Sequence, residues 1–409
     1  MQTAFFSPAA TGEQSMIIRP RIRGFICTTA HPKGCAAHVD SQIATVAARG
    51  ALANGPKKAL VIGASAGYGL ASRVVAAFGC RAATLGVSFE KAPEGNRTAS
   101  AGWYNNRAFE ARAHAAGLYA TTLDGDAFSD QMKAQVIERI KNDLGQIDLL
   151  IYSLASPVRQ HPRSGVLYRS AIKPIGDIYH VKTLNVDRGE VHEIDLQPAT
   201  ADEIAATVAV MGGEDWELWV DALSSAGVLA RRFRTLAYTY IGSELTWPIY
   251  WHATLGKAKE DLDRAAYAIL QRLAALDGQA RVAVLKAVVS QASSAIPVVP
   301  LYASLLFRVM KDAGVHESII EHIDRLFRSQ VYGGAKLRLD DVQRIRMDEV
   351  ELSEAIQAEV KRRWPIVTTD TIGTLADLEG FRADFLKIFG FGFDGVDYDE
   401  DLDPMLEDL

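Results

Sequence analysis

Tyr250-Trp251-His252-Ala253-Thr254-Leu255-Gly256-Lys257-Ala258-Lys259 sets a phenol and an ammonium group eight residues apart. A tyrosine hydroxyl can hydrogen-bond an oxygen on which negative charge develops, or hand it a proton, and a nearby lysine cation makes the phenol a better acid. Nine steps of unbroken helix would turn the two side chains to opposite faces. Tyr250 must therefore precede a helix and Lys259 lie within it, an arrangement that Pro248 favours by discouraging helix just upstream. From spacing alone, a buried interfacial tyrosine and an exposed lysine are the commoner reading. His252, beside the pair, reads as a local hydrogen-bonding residue rather than a base.

A second stretch could hold the partner for such chemistry. Ala59-Leu60-Val61-Ile62-Gly63-Ala64-Ser65-Ala66-Gly67-Tyr68-Gly69-Leu70 is an apolar run ending in clustered glycines. It predicts a buried parallel strand, a tight turn and the first turn of a helix. Glycines take positive φ and let backbone N–H groups approach an anion, and the helix start adds a positive dipole end. The spacing G-x-x-x-G-x-G differs from the G-x-G-x-x-G fingerprint and resembles that of short-chain dehydrogenase/reductase enzymes. Strand two is predicted at residues 82–89, and Glu90 follows it, about twenty residues past the glycines. A carboxylate there accepts hydrogen bonds from ribose hydroxyls and repels a 2′-phosphate, favouring NADH over NADPH. Lys91 and Arg97 leave room for NADPH. Asp126, after a third predicted strand at 118–123, could accept from an adenine amino group or make an ordinary Asx turn.

In the elements that must carry these groups, the order strand, helix, strand repeats through residues 147–157. This predicts an α/β fold with a Rossmann-type, doubly wound parallel sheet and helices on both faces. An inserted β-hairpin (181–186 and 191–196) and helices at 200–211 and 215–226 break the rhythm, as a candidate substrate-binding lid within an insertion at about 157–233. A strand at 234–242 returns to the sheet. Helices are expected at 38–52, 254–275, about 298–311, 317–328, 340–349, 353–363 and 381–389, with a small-residue loop at 291–297. The whole of 16–409 reads as one large nucleotide-binding domain.

At 409 residues and 48% hydrophobic content the chain can bury a large core, and its formal net charge of -6 argues against nucleic-acid binding. Cys27, Cys35 and Cys80 lack metal-ligand spacing, so reduced thiols in the cytoplasm and no metal are expected. Met1 to Ser15 lacks a basic segment followed by an apolar core and reads as a loose leader rather than a secretion signal. The apolar run 295–307 is too short to span a bilayer and contains two prolines, so no membrane helix is expected.

Together with Arg23-Gly24-Phe25-Ile26-Cys27, Tyr238-Thr239-Tyr240-Ile241-Gly242, Gln291-Ala292-Ser293-Ser294-Ala295-Ile296-Pro297 and Phe389-Gly390-Phe391-Gly392, the glycine bend and the Tyr-x8-Lys pair resemble the FabV-type trans-2-enoyl reductases. These act on thioesters of acyl carrier protein or coenzyme A. The resemblance runs from Met16 to the end of the chain. It implies that Tyr250 is the catalytic proton donor, Lys259 the cofactor-holding cation and Tyr240 a substrate contact. It further implies NADH-binding positions at Gly63, Ala64, Ser65, Ala66, Gly67, Tyr68, Phe89, Glu90, Asp126, Ala127, Leu154, Ala155, Val288, Val289 and Ser290. Two departures stand out: the first fifteen residues do not align, and Ser290 stands where threonine is expected.

The implied reaction adds a hydride from NADH to the β-carbon of a trans-2-enoyl thioester, with tyrosine donors on the thioester oxygen and protonation at the α-carbon. A monomer without nucleic-acid or membrane partners is expected. Two rivals remain open: a carbonyl reductase on the same scaffold and a non-catalytic NAD(H) sensor. The first is disfavoured because the only Tyr-x-x-x-Lys in the chain, Tyr332-Gly333-Gly334-Ala335-Lys336, has two glycines between the pair.

Overall fold

Continuous apolar runs such as Ala59-Leu60-Val61-Ile62 have no polar face to show water, so they pair where both faces are covered. In a computed structural model, which describes residues 15–24, 26–154, 156–334 and 336–405, they form the middle of a seven-stranded sheet. Its strands are β1 (Lys58–Ile62), β2 (Ala83–Ser88), β3 (Ala120–Asp124), β4 (Ile147–Tyr152), β5 (Leu229–Thr239), β6 (Gln279–Val284) and β7 (Ile345–Arg346). All pairings are parallel, in the spatial order β7-β6-β5-β4-β1-β2-β3. The order reverses between β1 and β4, and the crevice at their carboxyl ends is where open α/β sheets hold ligands.

The two faces are covered by different helices. Ala59 and Val61 pack with α1 (Pro32–Ala48), α2 (Gly67–Val74), α3 (Ala101–Ala115) and, from far along the chain, the helix Ile319–Leu326. Leu60 and Ile62 point the other way, toward α4 (Asp130–Arg139), whose Met132 and Val136 are buried, and toward Trp216, Trp219, Leu262 and Ile269. Both tryptophans are fully buried, as core packing requires. No helix of the described residues is long and apolar enough to cross a membrane.

Between β4 and β5 lie a hairpin, Tyr179–Asn185 with Glu190–Leu196, and the helices α5 (Ala201–Met211) and α6 (Glu214–Ser225). α5 opens with the anticipated capping box of Thr200 and Glu203. The hairpin is anchored rather than swinging free. Lys182 Nζ donates to the carbonyls of Pro365 and Val367, Val298 N donates to Thr183 Oγ1, and Val191 N donates to Thr369 Oγ1. β5 begins at Leu229, so the sheet takes up the last residues of the 157–233 span.

Several expectations are corrected. Residues 340–349 form no helix: the Asp340 carboxylate accepts from Val342 N and Arg344 N, folding a turn that delivers Ile345–Arg346 as edge strand β7. α1 starts at Pro32, whose missing N–H suits a first helical position, and stops at Ala48 rather than Leu52. The 291–297 loop contains one helical turn, Gln291–Ser294, capped by Ser290. After it, α7 (Thr254–Arg272) having already crossed one face of the sheet, α8 (Val299–Asp312) packs with α9 (Glu354–Arg363) and α10 (Leu378–Ile388) into a separate core through Leu301, Leu305, Val360, Phe381 and Phe385. Of the leader, residues 1–14 lie outside the described residues, as do Phe25 and Ala155.

Candidate active site

Because all seven strands run the same way, everything that follows a strand emerges on one edge of the sheet. Gly63 to Tyr68 follow β1, Phe89 and Glu90 follow β2, Asp126 and Ala127 follow β3, and Leu154 follows β4. Tyr240 follows β5, and Val288 to Ser290 follow β6. The described residues expected at the dinucleotide therefore share the crevice edge; Ala155 lies outside the described residues.

At two of its glycines the bend leaves no space for a side chain. Gly63 has φ +81°, and a Cβ there would meet Ser153 O at 2.3 Å; one on Gly69 would meet Gly63 O at 1.9 Å. Ala66, at the N-cap of α2, offers no side-chain cap, so first-turn N–H groups are left to bind an anion. Asn105 Nδ2 donates to Ser65 O at 3.0 Å and steadies the turn. Glu90 accepts from Ser65 Oγ at 2.5 Å and from Ser100 Oγ, holding its carboxylate beside the bend, while Phe89 exposes 78% of its surface next to it. Asp126 makes the Asx turn, Oδ1 accepting from Phe128 N at 2.9 Å, and leaves Oδ2 without a partner among the described residues. Ala127 is buried, its carbonyl accepting from Trp219 Nε1 at 3.1 Å. Leu154 is half-buried, and Val288 and Val289 are buried. Ser290 caps its helical turn by accepting from Ser293 N at 3.1 Å, a task its hydroxyl performs without threonine's methyl. These groups fit a dinucleotide: bare N–H groups for a pyrophosphate and a fixed carboxylate for ribose hydroxyls.

Tyr250 sits in the turns before α7, where its carbonyl accepts from Gly256 N at 2.8 Å, and Lys259 lies in the second turn of that helix. The geometry inferred from their spacing is the geometry found. Tyr250 is buried with Ile249, Leu255, Ile296, Val298 and Val181 of the hairpin. Burial pushes its hydroxyl well above the ordinary tyrosine range, so it is a neutral donor. Lys259, half-buried, is pushed down to about 8 by burial, with Asp263 opposing. Burial alone moves Tyr250, and the charged neighbour of Lys259 is Asp263.

Direct contacts run from the glycine bend to Tyr250. Tyr68 OH donates to Lys286 O at 2.7 Å, Ala287 N donates to Glu351 Oε2 at 2.6 Å, and Tyr240 OH donates to Glu351 Oε1 at 2.9 Å. The Tyr240 ring then meets Tyr250 edge to face, centroids 5.0 Å apart. Lys286 and Glu351 were missed in the sequence, where neither belongs to a motif. By contrast, Tyr332 lines a cavity of about 580 Å³ with Arg234 of β5 and with Gln279 and Arg281 in the first half of β6. None of the expected site residues lines that cavity.

Family models match nearly the whole chain. The model described as the NAD(P)H binding domain of trans-2-enoyl-CoA reductase covers residues 17–95, and the trans-2-enoyl-CoA reductase catalytic region covers 97–332. The chain belongs to the trans-2-enoyl reductase family. A third model, described as an enoyl reductase FAD binding domain, covers 339–402. Relatives of this enoyl reductase include proteins of Saccharophagus degradans, 58% identical, and Tolumonas auensis, 56% identical, both named enoyl-(acyl-carrier-protein) reductase (NADH). Each alignment spans 95% of this chain and 98% of the relative. Among solved structures, the Clostridium acetobutulicum trans-2-enoyl-CoA reductase in complex with NADH superposes with a TM-score of 0.93 at 41% identity, covering 96% of this chain and 98% of that one. The Treponema denticola trans-2-enoyl-CoA reductase in complex with NAD gives 0.91 at 46%, covering 95% and 98%.

Residues 339–402 of this enoyl reductase do not fit a flavin dinucleotide. Their strands, Ile345–Arg346 and Asp401–Leu402, do not run into a glycine bend opening a helix, and a Cβ on Gly390 would meet Cys35 N at 2.5 Å, so that glycine serves packing against α1.

Proposed function

We propose that this chain reduces the carbon–carbon double bond of trans-2-enoyl thioesters at the expense of NADH, with Tyr250 as the donor to the thioester oxygen. One observation carries that assignment of roles. The Tyr250 hydroxyl has no hydrogen-bond partner among the described residues, whereas that of Tyr240 is committed to Glu351. When bound, NADH supplies the hydride that goes to the β-carbon. Charge then gathers on the thioester oxygen, where the neutral Tyr250 hydroxyl donates a hydrogen bond and stabilises the enolate, and a proton drawn from solvent is delivered to the α-carbon as the carbonyl reforms. Tyr240 lines the substrate side through its ring, and Lys259 supplies a cation for the nicotinamide ribose. The glycine bend, Phe89, Glu90, Asp126, Ala127, Leu154, Ala155 and Val288 to Ser290 hold the dinucleotide.

The substrate's acyl chain lies against the apolar wall of Val181, Ile249, Ile296 and Val298, which makes the segment 157–233 a substrate-binding insertion in one large domain spanning 16–409. The chain acts as a monomer in the cytoplasm on thioesters of acyl carrier protein or coenzyme A. Three buried, unpaired cysteines suit a reducing compartment.

The test follows NADH absorbance with a trans-2-enoyl thioester on each carrier, with a β-ketoacyl thioester, and with no substrate. Oxidation with the enoyl thioester alone is expected. Oxidation with the ketoacyl compound would favour a carbonyl reductase, and saturable NADH binding without turnover would favour a sensor.

A further inference from the structure

Among the described residues, Glu351 is the carboxylate bonded to the tyrosine pair, and it comes from the segment matched to the third family model. It is fully buried, 111 positions from Tyr240 in sequence, in the turns between β7 and α9. A buried carboxylate is costly unless its lone pairs are filled. Here one oxygen accepts from both Tyr240 OH, at 2.9 Å, and Tyr302 OH, at 3.0 Å, while the other accepts from Ala287 N at 2.6 Å. Gln357 Nε2 closes the cluster, donating to Tyr302 OH at 3.0 Å and to Glu351 O at 2.7 Å. Burial pushes the Glu351 carboxyl upward, and the Ala287 amide and Tyr240 hydroxyl pull against it.

Ala287 directly precedes Val288 and Val289, expected at the cofactor, and Tyr240 presses its ring on Tyr250. One carboxylate thus sets two things at once, the loop after β6 and the rotamer of the aromatic ring that buttresses the donor. It also accepts the hydrogen bond of the Tyr240 hydroxyl, so that among the described residues only the Tyr250 hydroxyl of the adjacent two is left without a partner to face a thioester oxygen.

We propose that Glu351 is a positioning residue of the reductase site: it holds the Tyr240 hydroxyl so that the ring of Tyr240 orients Tyr250. This rests on the assignment of Tyr240 and Tyr250 to the substrate made above. It gives the 339–402 segment a role in enoyl reduction that needs no flavin.

The experiment compares kcat and KM for a trans-2-enoyl thioester, and NADH affinity by fluorescence titration, in Glu351→Gln, Tyr240→Phe and the double variant. Glu351→Gln keeps the shape but turns an N–H toward Ala287 N–H or the tyrosine hydroxyls. Its kcat at saturating NADH is expected to fall roughly 10- to 100-fold, the scale set by small misplacements of reacting groups, while any change in NADH affinity reads the Ala287 contact to the loop after β6 separately. If Glu351 acts through Tyr240, the double variant is no slower than Tyr240→Phe alone. Full multiplication of the two losses, or wild-type kcat in Glu351→Gln, overturns the inference. Wild-type kcat in Tyr240→Phe instead removes the assignment of Tyr240 itself. Should Glu351→Gln fail to fold, Glu351→Asp carries the same test, since it keeps the charge but withdraws the carboxylate by one methylene: lowered kcat supports the inference and unchanged kcat overturns it.

Discussion

Tyr240 and Tyr250 meet edge to face, yet only the hydroxyl of Tyr240 has a hydrogen-bond acceptor among the described residues. The free hydroxyl is the one able to meet a developing oxyanion. Loss of one oxyanion donor costs roughly 100- to 1000-fold in rate. Tyr250→Phe is therefore expected to lose kcat on that scale with NADH affinity little changed. Near-normal turnover in Tyr250→Phe would refute the role.

Gly69 lies where a Cβ would come within 1.9 Å of Gly63 O, and the obstacle is backbone rather than a flexible side-chain end. Gly69→Ala must displace the bend itself. A ligand that binds only the folded state raises its melting temperature in proportion to RT ln(1 + [L]/Kd). Saturating NADH is expected to stabilise the unaltered chain and to give Gly69→Ala no measurable shift. An equal shift in both would show that the bend does not hold the dinucleotide.

Much of this arrangement could be read from the residues, for a physical reason: short-range geometry leaves marks in sequence. Buried parallel strands are continuous apolar runs, Gly63 and Gly69 of the bend have no room for Cβ atoms, and helical periodicity together with Pro248 placed Tyr250 ahead of α7 and Lys259 within it. Glu351 left no such mark, because what defines it is burial against groups distant in the chain. The misread stretch 340–349 has helix-compatible residues, but the Asp340 side chain competes for the backbone N–H groups that a helix would use.

Glu90 is fixed beside the glycine bend by the hydroxyls of Ser65 and Ser100, and in the cofactor placement proposed above its carboxylate opposes a 2′-phosphate. Glu90→Gln retains the shape and removes the repulsion. The ratio of kcat/KM for NADH to that for NADPH is expected to fall by about tenfold or more, equivalent to at least ~1.4 kcal/mol. An unchanged ratio would mean that another group sets cofactor choice.

Lys259 is held down to about 8 by burial, whereas an unfolded lysine titrates near 10.4. As pH rises through about 8 the free enzyme loses this cation, so kcat/KM, which reports free-enzyme ionisations, is expected to decline there. Lys259→Arg, charged throughout, should move that decline to higher pH. The sign for stability is opposite: between about 8 and 10.4 the unfolded chain binds more protons than the folded one, so stability rises with pH across that window. Lys259→Met should lack this rise. A pH profile identical in Lys259→Arg and the unaltered chain would detach Lys259 from the reaction.

Beside the turn after β3, Lys133 and Asp215 pair at 2.8 Å with 4% and 1% of their side chains exposed. Lys133 Nζ also donates to Phe128 O at 2.9 Å, and Tyr152 OH donates to the second oxygen of Asp215 at 3.0 Å. The pair therefore ties the turn carrying Asp126 and Ala127 to α6. Asp215→Ala would strand an ammonium in the core, and breaking one side of a buried pair costs about 3–5 kcal/mol. Urea unfolding should show that loss as a lower midpoint at unchanged slope, because the surface exposed on unfolding is the same. The double variant Lys133→Met, Asp215→Ala should recover part of it, since no uncompensated charge remains. A loss below ~1 kcal/mol in the single variant would mean that water reaches Lys133, and the turn at Asp126 would then owe its position to the Phe128 N–H bond instead.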